Sequence, residues 1–359
     1  MTDTSRRKFL QRTALLSTAS ALTPISIARA ATDSEYFRIA TEETFGTSEV
    51  YDATAEFIAS NPTDEVALGL PPKHVELTQQ LLDLGDGRIA NMDAGRIDMQ
   101  LLSLWSPGVQ IFGPEQGTEL ARHTNDLLAV AIEKYPDRFA GLTTIAPQDP
   151  TAAALEIERG MSTLGLNGVL INSYTKGEYL DNQKFWPIFE SAEANNAAIY
   201  MHPRKPPPQM YGPFADYSMD SPMWGFHAEA ATHAIRLLLS GVFDEFPDVK
   251  IVLGHMGEGL PFWLDRLDKI SAREELATIK RKPSEYFRDN FVITTSAMFW
   301  DPILELSLKV LGPERILFGV DYPFAPSAAG TRWLDAAPIS HEVRRKIYSE
   351  NARRVFHLG

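Results

Sequence analysis

From Phe37 onward, short runs of Ile, Val, Leu, Phe and Thr alternate with stretches in which apolar residues recur every three to four positions. The runs predict buried strands and the stretches predict amphipathic helices, so their alternation predicts βα units on a parallel sheet. Eight strand-like runs are legible: Phe37–Glu43, Met99–Trp105, Phe139–Pro147, Gly168–Ser173, Ala198–Pro203, Lys250–His255, Phe291–Ser296 and Ile316–Pro323. Helical spacing occupies His74–Met92, Glu119–Tyr135, Ala152–Leu164, Lys184–Asn195, Ala228–Phe246 and Pro302–Leu311, and His341–Phe356 closes the series. Eight strands with helices between them predict a (β/α)8 TIM barrel, a single domain over residues 31–359 with inserted active-site loops. An open doubly wound sheet is the competing architecture. Two insertions, Ser48–Pro72 and Arg204–Met223, are long enough to shape a binding site.

Residues 1–30 follow a different pattern. A basic start, Ser5-Arg6-Arg7-Lys8-Phe9-Leu10, precedes a mildly apolar stretch and Ala28-Arg29-Ala30. This is the layout of a removable export signal, and the paired arginines before Phe-Leu are of the twin-arginine type, which implies a periplasmic protein. Ser, Thr and Pro24 interrupt the apolar stretch, so no stable membrane insertion is expected once the signal is removed.

The 359 residues contain no Cys, which excludes disulfides, thiolate metal sites and a cysteine nucleophile. With 34 Lys+Arg against 47 Asp+Glu, the net charge is −13, and an electrostatic grip on nucleic acid is not expected.

Candidate chemistry comes from where the apolar runs end. Glu42 and Glu43 end the first, His202 the fifth, His255 the sixth and Asp321 the eighth. The carboxyl ends of all strands of a parallel barrel meet at one face, so these scattered residues would converge there. Glu, His and Asp offer oxygen and imidazole ligands suited to Zn²⁺ or Mn²⁺. The segment Gly254-His255-Met256-Gly257-Glu258-Gly259 can turn sharply at its glycines and let Glu258 hold the His255 imidazole. Trp105, Tyr211, Trp224, Phe299 and Tyr322 could wall a planar substrate, and Arg204 with Lys205 could capture an anion.

These residues resemble the amidohydrolase superfamily, in its branch of metal-dependent, non-oxidative decarboxylases that includes the 5-carboxyvanillate, gamma-resorcylate and 2,3-dihydroxybenzoate enzymes. The resemblance runs through Ile39-Ala40-Thr41-Glu42-Glu43-Thr44-Phe45, Ser106-Pro107-Gly108-Val109-Gln110, Pro136-Asp137-Arg138-Phe139 and Ala146-Pro147-Gln148-Asp149-Pro150. It continues in Met201-His202-Pro203-Arg204, Gly254 to Gly259 and Asp321-Tyr322-Pro323-Phe324. It implies Glu42, His202 and Asp321 as ligands of one divalent metal, Zn²⁺ or Mn²⁺, with no organic cofactor. His255 and Glu258 would be the neighbouring catalytic pair, with Asp321 serving both as ligand and proton shuttle. The substrate it implies is an ortho-hydroxy aromatic carboxylic acid, and the assembly a homodimer or tetramer. Two departures stand out: Thr44 occupies the place of a His two residues after the first ligand, and Lys73 stands where relatives of the 5-carboxyvanillate type carry a substrate-binding Arg. A metal-dependent lactone or amide hydrolase is the alternative, and an exported binding protein on a decayed barrel is a third reading.

Overall fold

The computed structural model describes residues 36–61, 75–274 and 278–359; residues 1–30, expected to be an export signal, and Lys73 lie outside them. Nine strand segments follow in chain order: β1 (Ile39–Phe45), β2 (Met99–Leu104), β3 (Phe139–Gly141), β4 (Thr143–Thr144), β5 (Val169–Ile171), β6 (Ile199–Met201), β7 (Ile251–Leu253), β8 (Phe291–Thr294) and β9 (Ile316–Leu317). β3 and β4 are two pieces of one strand broken at Leu142, whose N–H bonds back to Leu102 while Thr143 bonds forward to Gly168. The predicted run Phe139–Pro147 is therefore one barrel strand that changes partner midway. All pairings are parallel and sequential.

The barrel is closed. Thr41 N–H donates to Phe318 O at 2.9 Å, Asp321 N–H to Glu42 O at 2.9 Å and Thr44 N–H to Tyr322 O at 2.7 Å, stitching the last strand to the first. An open sheet would leave both edges unpaired, so these bonds eliminate the doubly wound alternative. Strand residues such as Ile39, Leu101, Val169, Ile199, Ile251 and Ile293 are fully buried, as expected of strands covered on both sides.

Helix boundaries depart from the apolar spacing where backbone chemistry overrides it. His74–Met92 is two helices, Val75–Leu82 and Asp86–Gly95, parted at Gly85. Ala228–Phe246 is likewise Gly225–Leu239 and Val242–Glu245, parted at the left-handed Gly241. The insertion after β1 begins as a helix, Ser48–Ser60, capped by Thr47 Oγ1 accepting from Val50 N–H; such a cap contributes about 1 kcal/mol. Arg204–Met223 carries only short helical turns, at Pro208–Tyr211, Gly212–Phe214 and Asp216–Ser218. Leu260–Arg273, Pro283–Asn290 and Ser327–Ala336 are further helices, absent from the predicted set. Among the described residues no helix is long and apolar enough to cross a membrane.

Candidate metal and catalytic centre

The centre starts with an irregularity in β1. Ala40 pairs with Gln100, but the next partners are Glu43 and Leu102, so β1 holds one extra residue. A bulge re-aims side chains, and here consecutive carboxylates enter different environments. Glu42 Oε2 accepts from Thr294 Oγ1 at 2.7 Å, while its Oε1, buried, has no hydrogen-bond partner. That oxygen faces His202 Nε2 at 3.8 Å and His255 Nε2 at 3.6 Å. Asp321 Oδ2 lies 3.8 Å from His255 Nε2.

Each member is positioned by backbone. His202 follows β6, and its N–H donates to Ile171 O at 2.8 Å. Asp321 adopts φ 77°, a left-handed conformation unfavourable for a side-chain-bearing residue, and is held by its N–H bond to Glu42 O. His255, Met256, Gly257, Glu258 and Gly259 all have positive φ, between 49° and 76°, forming one left-handed turn. Such a turn is costly for side chains with a Cβ. It brings Glu258 Oε1 within 2.8 Å of His255 Nδ1. Gly254 cannot be replaced without disturbing this arrangement, because a Cβ there would stand 2.6 Å from Glu42 Oε1.

The electrostatics follow from burial and proximity. Burial opposes charge on His255, but Glu42 and Glu258 outweigh it and raise its pKa well above the ordinary value. Burial likewise works to raise Glu258, yet the His255 charge and the bonds from His227 and His255 hold it below the usual carboxylate range. Asp321 is raised, chiefly by burial, against the pull of His255.

Glu42, His255 and Asp321 each offer a ligand atom within 4.8 Å of the others, and His202 Nε2 faces the same Glu42 oxygen. The unpartnered Glu42 Oε1 has the character of a buried acceptor awaiting a cation, since a buried carboxylate oxygen is otherwise hydrogen-bonded. Two hard oxygens and an imidazole suit a single divalent metal. Thr44, at the position of the missing second histidine, is buried and its hydroxyl has no partner.

The other sequence candidates take separate places. Arg204 is buried, its guanidinium 4.3 Å from the Tyr174 ring centre and its Nη1 donating to Tyr174 O. Lys205 pairs with Asp220 at 2.8 Å and Tyr211 at 3.2 Å, tying down the insertion. The Trp105 ring packs against Tyr51, and its buried indole N–H has no partner. Phe299 packs against Trp333 and Gly330, and the Tyr322 ring lies 5.0 Å from the Arg88 guanidinium, on the Glu43 side.

Sequence reasoning missed several residues. Thr294 lies two residues before the end of the Phe291–Ser296 run, as Asp321 lies two before the end of Ile316–Pro323, so it was open to the same rule. His227 gave no signal, being an isolated histidine in a helix; its Nδ1 meets Glu258 Oε2 at 2.5 Å. A buried Ser173–Glu229–His233 cluster was missed too, with Ser173 Oγ 2.8 Å from Glu229 Oε1 and 3.0 Å from His233 Nδ1.

The amidohydrolase family profile matches residues 74–358. A gamma-resorcylate decarboxylase from a Polaromonas species is 36% identical over 333 residues, covering 90% of this chain and 99% of the relative. The structure of 5-carboxyvanillate decarboxylase from Sphingomonas paucimobilis is 44% identical with a TM-score of 0.86, covering 90% of this chain and 99% of the other. A 5-carboxyvanillate decarboxylase from Novosphingobium aromaticivorans, complexed with manganese and 4-hydroxy-3-methoxy-5-nitrobenzoic acid, is 38% identical with a TM-score of 0.87, covering 90% and 96%. Profile, relatives and barrel agree, and this chain belongs to the amidohydrolase family.

Proposed function

We propose that the protein is a metal-dependent, non-oxidative decarboxylase of an ortho-hydroxy aromatic carboxylic acid. The observation that carries this reading is the convergence of Glu42 Oε1, His202, His255 and Asp321 at the strand ends, with that oxygen unpartnered. The relatives' names favour carbon dioxide loss over lactone or amide hydrolysis.

Glu42 and Asp321 would hold the metal together with His202, which faces the same Glu42 oxygen as His255, and Mn²⁺ is preferred to Zn²⁺ given the manganese in related structures; as a Lewis acid it would supply charge stabilisation to the bound acid. The chain's own residues supply the proton. Glu258 fixes His255 through Nδ1, so Nε2 is aimed at the space between Glu42 and Asp321. Asp321, whose Oδ2 lies 3.8 Å from His255 Nε2, would receive a proton from that imidazole and deliver it from its carboxyl to the ring carbon bearing the carboxylate. A C–H bond forms, the C–C bond breaks, carbon dioxide leaves and the ring regains its electron pair, consuming one proton per turnover.

Export by the twin-arginine route and a homodimer or tetramer belong to the same proposal. The expected results are periplasmic protein that stays inside when Arg6-Arg7 becomes Lys-Lys, and an oligomer by light scattering. For the activity, the mature protein with and without Mn²⁺ is incubated with ortho-hydroxybenzoates, aryl lactones and amides, and products are followed by mass spectrometry. Metal-dependent carbon dioxide release from a phenolic acid is expected; water addition to a lactone or amide without carbon dioxide would overturn the reading.

A further inference from the structure

Glu258 is fully buried, and each of its carboxylate oxygens meets one imidazole: Oε1 takes His255 Nδ1 at 2.8 Å and Oε2 takes His227 Nδ1 at 2.5 Å. No other hydrogen bond reaches this carboxylate among the described residues. An ionised carboxylate only accepts, so both imidazoles donate Nδ1–H and both present Nε2 away from Glu258. The His227 and His255 rings also stand edge to face, 5.4 Å apart at 83°.

His227 comes from a different part of the chain from its partners. It sits in the first turn of Gly225–Leu239, just after the insertion Arg204–Met223, and among the described residues its one hydrogen bond is to Glu258. Beyond Glu258 and the His255 ring it borders a mainly apolar cavity lined by Trp224, Ala231, Leu260, Trp263 and Leu267, with Arg266 also on its wall. A residue needed only for packing there could be Leu or Phe. A hydrogen-bonded imidazole instead fixes the free end of Glu258.

We propose that His227 is a positioning residue, which by donating to Glu258 Oε2 fixes the carboxylate that orients His255. Without it, Oε2 would be left buried and unpartnered, the carboxylate could rotate to satisfy either oxygen with His255, and the direction of His255 Nε2 would be lost. Groups that orient a site residue in this way typically matter by about 10- to 100-fold. The inference rests on the decarboxylase reading for its catalytic consequence and on geometry alone for the orientation.

The test compares His227→Ala, His227→Asn and His227→Gln in the full-length mature protein. Asn can place an amide N–H near the position of Nδ1, and Gln places it one bond further out. With Mn²⁺ and the best phenolic acid, H227A should lose about 10- to 100-fold in kcat with KM within about threefold. H227N should recover most of the loss and H227Q little of it. In the metal-free protein, proton NMR should show a downfield His255 Nδ1–H resonance that broadens or moves in H227A and returns in H227N. H227A with kcat within about threefold of the unsubstituted protein, or H227N as impaired as H227A, would overturn the inference. If H227A does not fold, the H227N and H227Q pair decides it by the same criterion. If the unsubstituted protein releases carbon dioxide from no acid, the decarboxylase reading fails, and the NMR signature alone decides whether His227 orients His255.

Discussion

Glu42 and Glu43 are adjacent on one strand and equally buried, yet they are held in opposite ways. Glu43 has both oxygens occupied, by Val320 N–H at 3.0 Å and Gln100 Nε2 at 3.2 Å. Burial raises its pKa well above the ordinary value despite the nearby Arg88 charge. Arg88, itself fully buried, ties the same region together by donating to Asp83 O, Thr44 O, Gln80 O and Gln100 Oε1. Glu42 keeps one oxygen unfilled and turned toward two imidazoles. Burial therefore does not mark a carboxylate for chemistry; an unfilled acceptor facing other ligand atoms does.

The contrast can be broken most directly at Glu42. Glu42→Gln should abolish tight Mn²⁺ binding by calorimetry and lower turnover by at least about 10³-fold, since the metal supplies several kcal/mol of charge stabilisation. Circular dichroism should be unchanged, and retained tight binding would collapse the distinction. Next in size, Arg88→Met should cost about 3–5 kcal/mol of stability in urea, because it leaves a buried network unpaired, while Mn²⁺ affinity holds. A loss of affinity without loss of stability would place Arg88 with the metal side instead.

A third buried carboxylate sharpens the comparison through pH. Glu229 is pushed up to about 8 and His233 down to about 3, both mainly by burial. The raised Glu229 contributes stability that is complete below its ordinary 4.5 and is lost as pH rises through about 8. The depressed His233 contributes stability present above its ordinary 6.5 and lost as pH falls toward about 3. The two slopes cancel between pH 4.5 and 6.5, so these groups give a plateau there, a decline below it, and a fall of about 2 kcal/mol from pH 6.5 to 8. Urea midpoints across pH should show the alkaline fall in the unsubstituted protein and lose it in Glu229→Gln; persistence of the fall in that variant would assign it to another group. The smallest effect is expected from Glu43→Gln, which should keep kcat and Mn²⁺ affinity within about threefold by the same assays.

The strand ends that carry the centre were legible because a parallel barrel marks them twice: each run is almost purely apolar, and each ends in a residue that such a run would otherwise exclude. Glu42, His202, His255 and Asp321 were all exposed by that contrast. The apolar pattern left Glu42 and Glu43 equivalent, because which of them faces the imidazoles depends on a bulge that no apolar period records, and only the family resemblance pointed to Glu42. Helix extents failed where Gly85 and Gly241 interrupt a continuing apolar pattern. His227 was invisible for a different reason: its partner lies 31 residues away in a left-handed turn, and neither segment alone implies the other.

The seam that closes the barrel has a consequence for biosynthesis. Thr41 is bonded to Phe318 across 277 residues, and Glu42 receives the backbone N–H of Asp321 at the same junction. A nascent chain can build early βα units as it emerges, but these long-range contacts cannot form until the eighth barrel strand has been synthesised. The two carboxylates meet only on a nearly finished polypeptide, so on the proposed ligand set capture of the metal would be a late event that reports completion of the fold.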